Sequence, residues 1–314
     1  GFGKNVTRSN LSKANENRNF KIFEDFANHL ILIAQEKNSN DSFEIKGTVY
    51  AFDSSTIDLC LSVFWWAHFR KTKAGIKLHT LFDINTQIPV FIHITEANVH
   101  DVNAMDVIKY EPFAYYIFDR AYVDYLRLYR ITKSDAYFVV RAKSNVKFKR
   151  MYSKKTDKST GVIYDQTGKI DGFYTSKDYP EKIRKVKFFD AENKKMLIFL
   201  TNNFDLSAQQ IALLYKQRWQ IELFFKWIKQ HLKVKTFWGT TENAVRIQIN
   251  IAIITYCLVS IIAKDLKINR SIYEILQILS VSLLDKTPVN ELLMKSDYNN
   301  VNELDSNQLV FNLF

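Results

Sequence analysis

Two cysteines, four prolines and eight glycines in 314 residues leave this chain with little cross-linking or punctuation. Cys60 and Cys257 both lie in apolar surroundings. That excludes a disulfide scaffold and a cysteine-ligated zinc site, and it fits a reduced cytosolic compartment. So few Pro and Gly, and no low-complexity tract, argue against extended disorder. The most apolar run, 247–262, contains Gln248, Asn250, Thr255 and Ser260 and is short for a membrane span, so it reads as a buried helix. No membrane partner and no signal peptide are expected. The chain opens at Gly1 rather than Met, which fits a start further upstream.

What is present is apolar mass and positive charge. Apolar residues make up 47% of the chain, ample for a core, and the length suits one large domain or two moderate ones. The formal net charge is +11, which points to a polyanionic partner. The excess is not spread evenly. From Arg141 to Lys195 there are 16 Lys and Arg against 7 Asp and Glu, a net of +9, which leaves +2 for all the rest.

The stretch Ser207 to Lys233 organises the remainder. Ser207 and Gln210 have the spacing of a capping box, and no Pro or Gly follows, so a long helix or two helices in tandem are expected. Tyr215, Arg218, Glu222 and Lys229 are spaced by 3, 4 and 7, which puts them within an arc of about 60° on one face. Leu214, Ile221, Leu223, Phe224, Phe225, Trp227, Ile228 and Leu232 fill much of the other circumference, as in a helix packed into a core. The polar stripe is therefore expected to open into a cleft. The competing reading is a solvated face braced by Arg218 and Glu222 at i,i+4, but a solvated face needs no apolar flanks.

Upstream, a basic lead (Lys4, Arg8, Lys13, Arg18) precedes a packing helix in which Phe23, Phe26, Ala27 and Leu30 recur at helical spacing. A buried strand, 48–53, ends at Asp53. A connection over 54–72 follows, with Phe64, Trp65, Trp66 and Phe69 and then Arg70, Lys71 and Lys73. Strands at 76–82 and 90–95 flank a turn at 83–87. Asp101 caps a helix over 102–110. A strand at 115–119 ends at Asp119, Asp124 caps a helix to about 133, and 136–141 is a fifth strand. The basic segment 142–195 reads as β-rich, with a strand at 183–188 and turns at Gly161, Gly168 and Gly172. A strand at 196–201 leads into the organising helix. Helices over 242–264 and 271–284 and a polar tail complete the chain. Trp65 and Trp66 suit either base stacking or anchoring of their loop, with anchoring favoured.

This order resembles the ribonuclease H-like fold: a mixed α/β sheet with flanking helices, a β-rich insertion and a helical C-terminal region. The expected units are 1–46 (N-terminal helical segment), 47–141 and 196–238 (the two parts of a catalytic domain), 142–195 (basic insertion) and 239–314 (helical region). In that fold the fourth strand lies beside the first. Asp53 and Asp119 would face each other where the strand order reverses, the usual place for a site in an open sheet. Two adjacent carboxylates repel unless a cation sits between them, and Glu222 would complete an all-oxygen set suited to Mg²⁺ or Mn²⁺. The alternatives are that Asp53 only caps the turn at Ser54, Ser55 and Thr56, and that Asp119 only pairs with Arg120. Asp83, Asp101 and Asp124 read as turn and cap residues, and His79 and His93 as structural.

Tyr215, Arg218, Glu222 and Lys229 match Y-x2-R-x3-E-x6-K, the signature of the insertion-sequence-four (IS-four) group of DDE transposases. FDSSTIDL (52–59) and DRAYVDY (119–125) resemble that group's first and second carboxylate motifs, and RKTKAGIKLHTLFD (70–83) and LTNNF (200–204) are also similar to it. The resemblance implies a cut-and-paste transposase in which Asp53, Asp119 and Glu222 hold two Mg²⁺ or Mn²⁺ ions. Tyr215, Arg218 and Lys229, with Arg120, would contact DNA. The implied partners are double-stranded DNA with terminal inverted repeats, target DNA and a second copy in a homodimer on DNA, in the cytoplasm of a bacterium at the nucleoid. Family members also carry an N-terminal DNA-binding region, of which 1–46 would be the remainder. The rival readings are a ribonuclease H-like nuclease without strand transfer and a non-catalytic DNA-binding remnant.

Overall fold

The computed structural model describes residues 6–39, 45, 47–60, 62, 64, 66–70, 73–231, 237–282 and 286–294. Trp65, Lys71, Lys4, Leu232, Lys233 and the polar tail from 295 lie outside them. In chain order the elements are α1 (Arg8–Asn17), α2 (Phe20–Asn38), β1 (Val49–Leu59), β2 (His68–Arg70), β3 (Lys73–Asp83), β4 (Ile88–Glu96), β5 (Tyr115–Phe118), α3 (Tyr125–Lys133), β6 (Tyr137–Arg141), β7 (Phe148–Lys154), β8 (Val162–Ile170), α4 (Thr175–Asp178), β9 (Ile183–Asp190), β10 (Lys195–Thr201), α5 (Ala208–Gln217), α6 (Trp219–His231), α7 (Glu242–Asp265), α8 (Ile272–Ser282) and α9 (Val289–Met294).

One sheet of ten strands runs through the molecule, in the order β4-β3-β1-β5-β6-β10-β9-β8-β7, with short β2 on the end of β3. β1, β5 and β6 pair in parallel, and the other neighbours are antiparallel. A meander of three strands with a fourth and fifth added in parallel beside the first is the ribonuclease H-like arrangement expected from the element order. Strand alternation divides the core between two faces. Val49 and Ala51 pack with α2, α5, α6 and α7, while Tyr50 and Phe52 pack with α3 and with Tyr116, Phe118 and Phe138. Helix α7 is long and apolar enough to cross a membrane, but most of it is buried, and its principal contact is α2.

Several local expectations need correction. β1 does not stop at Asp53 but continues to Leu59, because antiparallel pairing with β3 extends as far as Ala74. Only its parallel pairing ends near Asp53, with Phe52 opposite Phe118. Part of the basic lead is itself helical, with Thr7 capping α1. Phe26 is 48% exposed, and the buried face of α2 is Ala27, Leu30, Ile31 and Ala34. Cys60 is exposed, while Cys257 is buried. Gly168 makes no turn. It lies inside β8, where a Cβ would come 2.2 Å from the Lys149 carbonyl oxygen across a bulge. Residues 101–107 form a 3-10 helix in which Asp101 does not cap. Chain counted with the tail forms α9. Trp66 anchors its loop, donating from Nε1 to the Thr240 carbonyl at 2.8 Å.

Strands β8 and β9 are tied to the loop before α5 by a buried pair. Arg184 on β9 is 1% exposed and forks onto Asp165 of β8 with two 2.8 Å hydrogen bonds. Its remaining nitrogen donates to the carbonyls of Leu206 at 2.6 Å and Asn203 at 3.3 Å, in the loop that launches α5. Removing one partner of a buried ion pair strands the other charge. Asp165→Ala is expected to lower unfolding stability by about 3–5 kcal/mol in urea titrations. A loss under about 1 kcal/mol, the range of exposed pairs, would contradict this.

Candidate functional site

The register of β1 against β5 creates the site. Phe52 pairs with Phe118, so the next residue on each strand is a carboxylate, Asp53 and Asp119. Asp53 follows the alternation of Val49 and Ala51 and lies on the side of the sheet covered by α5 and α6. Asp119 ends β5 and precedes a short 3-10 turn, Arg120–Tyr122.

Helices α5 and α6 bring the polar stripe across both strands. The Ser207–Gln210 capping box forms in full. Arg218 stands between the two helices with α-helical torsions, so the stretch is two helices in tandem. Tyr215 donates its hydroxyl to Asp119 Oδ1 at 3.1 Å. Arg218 donates to Asp53 Oδ2 at 2.9 Å and to Glu222 Oε1 at 2.5 Å. Lys229 reaches the Thr56 carbonyl of β1 at 2.7 Å. Three of the four stripe residues thus contact β1 or β5 directly, and Glu222 joins them through Arg218. The Arg218–Glu222 brace exists and is solvated on one side only, with the Glu222 side chain 56% exposed. Arg218 is 17% exposed, its guanidinium lies 5.7 Å from the Tyr215 ring, and its buried Nε has no hydrogen-bond partner. Leu223 and Trp219 are half exposed, whereas Leu214, Ile221, Phe224, Phe225, Trp227 and Ile228 are buried. A cleft of about 640 Å³ opens beside the stripe, lined by Tyr215, Arg218, Trp219 and Glu222 and by Phe188 and Asn193 of the insertion.

Burial pushes the Asp53 carboxyl up from 3.8 to about 6, and the charges of Asp119 and Glu222 push the same way. The Ser54 N–H at 2.8 Å and Arg218 oppose the shift without cancelling it. This is a site that favours added positive charge. Oxygen donors of this kind suit a hard divalent ion. Among the described residues, no three His, Cys, Asp or Glu side chains already stand where they share one ion. The cation linking Asp53 to Glu222 in this structure is Arg218. The oxygen donors are of the kind that suits a hard divalent ion, and in this structure the Arg218 guanidinium bonds two of the carboxylates.

Arg120 is exposed beside Asp119, and Asp119 accepts from Tyr215 rather than pairing with Arg120. His79 is buried, bonds Thr95 at 2.9 Å, and is pushed down to about 4 by burial, so it is neutral and structural. Asp83 and Asp124 are the expected turn and cap residues. Asp101, expected only as a cap, reaches the site instead. It accepts from Ser54 Oγ at 2.7 Å and pairs with Lys77 at 3.0 Å, which steadies the residue next to Asp53. No spacing in the sequence linked it to the site, because the contact spans 47 residues.

Residues 44–258 match the family described as the transposase DDE domain. The chain belongs to the DDE transposases. It is 35% identical over 258 residues to a protein of Sinorhizobium fredii named as transposase y4zB, covering 81% of this chain and 71% of that one. It is 31% identical over 238 residues to a protein of Geobacillus stearothermophilus named as the transposase of insertion sequence element IS5377, covering 73% and 60%. A Synechocystis protein named as the transposase of element IS4SA is 24% identical over 290 residues, covering 90% and 80%. The cryo-EM structure of a piggyBac transposase synaptic complex with hairpin DNA aligns at 14% identity and a TM-score of 0.45, covering 76% of this chain and 52% of that one; a likeness this loose carries no argument.

The charge balance around Asp53 can be tested by pH. The folded-state pKa of Asp53 lies above its unfolded value. Its contribution to stability is therefore fully present below about 3.8 and lost as pH rises through about 6. Glu222→Gln removes one neighbouring negative charge and frees Arg218 for Asp53, so the Asp53 pKa should fall. Carboxyl-carbon NMR titration of the metal-free protein reads both, and an unchanged or higher value in the variant would refute this account of the shift.

Proposed function

We propose that this DDE transposase cuts DNA at the ends of an insertion element and joins the freed ends to target DNA, with Asp53, Asp119 and Glu222 as its catalytic residues. The observation that carries the reading is the pairing of Phe52 with Phe118, which sets two carboxylates side by side within reach of the helix bearing Glu222. Divalent ions, Mg²⁺ or Mn²⁺, held by these three carboxylates would polarise the attacked phosphate and lower the pKa of an attacking water. Water adds to phosphorus, the bond to the 3′ oxygen breaks, and a 3′-OH is left on the element. That hydroxyl then attacks a phosphate of the target in line and releases a new 3′-OH.

The protein's remaining task is positioning. Arg218 has a buried, unpartnered Nε and a planar fork suited to a phosphate. On this proposal it leaves the carboxylates for the DNA backbone as the ions take its place. Tyr215 holds Asp119, and Lys229 and Arg120 bind phosphates to either side. The terminal inverted repeats and a homodimer on DNA belong to the same proposal.

Asp53→Ala, Asp119→Ala and Glu222→Ala should each lower strand cleavage by at least about 100-fold, the several kcal/mol a metal site supplies, while end binding is kept. Normal cleavage by any one of them removes that residue from the site. Arg218→Lys keeps the charge but loses a charge-assisted hydrogen bond, about 1.5–3 kcal/mol, and so about 10–100-fold in rate. If Arg218→Lys instead leaves the rate intact and only lowers the melting temperature, Arg218 is a structural brace. Supplying a pre-cut end with a free 3′-OH and finding no joined product would leave a nuclease without strand transfer.

A further inference from the structure

The insertion strands have two faces of opposite character. One bears Asp165, Arg184 and Val186, is buried, and packs against α5. The register Tyr164 to Lys187 and Gln166 to Lys185 puts those four side chains on the other face. Arg150 opposite Gly168 and Phe148 opposite Ile170 extend that face onto β7. Near Ile170 and Ile183 the face is covered and apolar. Beyond them it turns basic. Lys185 Nζ lies 4.3 Å from the Phe148 ring centre and 5.4 Å from that of Tyr164, and Lys187 Nζ lies 5.8 Å from Tyr164.

These three cations have no counter-charge. None of Arg150, Lys185 and Lys187 enters an ion pair among the described residues. The acids of the same strands are turned elsewhere: Asp165 to Arg184 on the opposite face, and Asp190 to the turn at Asn193. Instead, aromatic rings hold the ammonium groups, which keeps them in place without neutralising them. Burial and the neighbouring Arg150 both push the Lys185 ammonium down, so the cluster carries a repulsion that an anion would relieve. Lys185 also pairs with Leu200 of β10, whose side chain packs in the core on the side of Tyr50 and Phe52. The basic face is therefore on the opposite side of the sheet from Asp53 and Arg218.

We propose that Phe148, Arg150, Tyr164, Gln166, Lys185 and Lys187 form a second DNA-contact surface that grips the backbone of a duplex on the far side of the sheet from the carboxylates. This rests on the reading of the chain as acting on DNA. The duplex held there is not the strand end at Asp53 of the same subunit. Contact is to phosphates, so it is indifferent to base sequence.

The test uses the full chain in EDTA with a labelled duplex of random sequence, followed by fluorescence anisotropy from about 0.05 to 0.3 M KCl. The triple variant Arg150→Gln, Lys185→Gln, Lys187→Gln should lose about 2.7 units from the slope of log K against log salt, about 0.9 for each phosphate contact. Lys155→Gln, Lys194→Gln, Lys195→Gln removes the same charge from a loop, a turn and the first residue of β10 and should leave the slope close to the parent's. Lys185→Arg with Lys187→Arg should keep the slope, which separates lost contacts from misfolding. An unchanged slope in the first triple variant, an equal loss in the turn variant, or a loss in the Arg variant would each overturn the assignment. Strand cleavage with Mg²⁺ is measured separately. Its absence from the parent protein would sink the transposase chemistry while leaving the salt slope to decide this surface.

Discussion

The structure depends on one electrostatic constraint. Parallel pairing of β1 with β5 runs to Phe52 and Phe118, and the next residue on each strand is an aspartate. Neighbouring strands are about 4.8 Å apart, so the fold itself brings two carboxylates to adjacent strand ends, where burial already opposes the charge of Asp53. A nearby cation relieves the repulsion of such a pair. In this structure Arg218 bonds Asp53 and Glu222 from the junction of α5 and α6, while Asp119 accepts from Tyr215. The apolar residues flanking the stripe press those helices against the sheet, and Tyr215 and Lys229 fix the approach by bonding β5's Asp119 and β1's Thr56.

The insertion is part of the same mechanics. Arg184 and Asp165 connect two of its strands to the loop at Asn203 and Leu206, and that loop leads directly into the Ser207 cap of α5. The start of α5 is thus held by the 142–195 strands, while Lys229 ties α6 to β1. Successive residues on β9 serve different purposes: Arg184 is committed to this internal link, while Lys185, on the other face, stands over the rings of Phe148 and Tyr164.

The sequence made the fold class legible because element type and order determine the sheet. Strands separated by capped helices imply parallel pairing, and the two strand-end aspartates then follow from register. The helical stripe was legible from spacing alone. Strand length was not: Asp53 followed by Ser54, Ser55 and Thr56 looks like a turn, and only pairing with β3 carries β1 on to Leu59. Gly168 reads as punctuation, yet it is there because the Lys149 carbonyl leaves no room for a side chain. Cys60, in an apolar setting by sequence, is exposed, since local composition does not reveal which loop faces solvent. Asp101 and Arg184 were missed for one reason: their partners lie far away in the chain or in a loop, and a single sequence has no signal for such contacts.

The central claim is that Arg218 holds the place of a divalent ion among Asp53, Asp119 and Glu222. Diffraction from crystals of the protein soaked in Mn²⁺, recorded at the manganese edge, tests it directly. The account predicts an anomalous peak bounded by those three carboxylates, with the Arg218 guanidinium withdrawn from Asp53. Saturating Mn²⁺ that leaves Arg218 bonded to Asp53 and gives no peak there would contradict it.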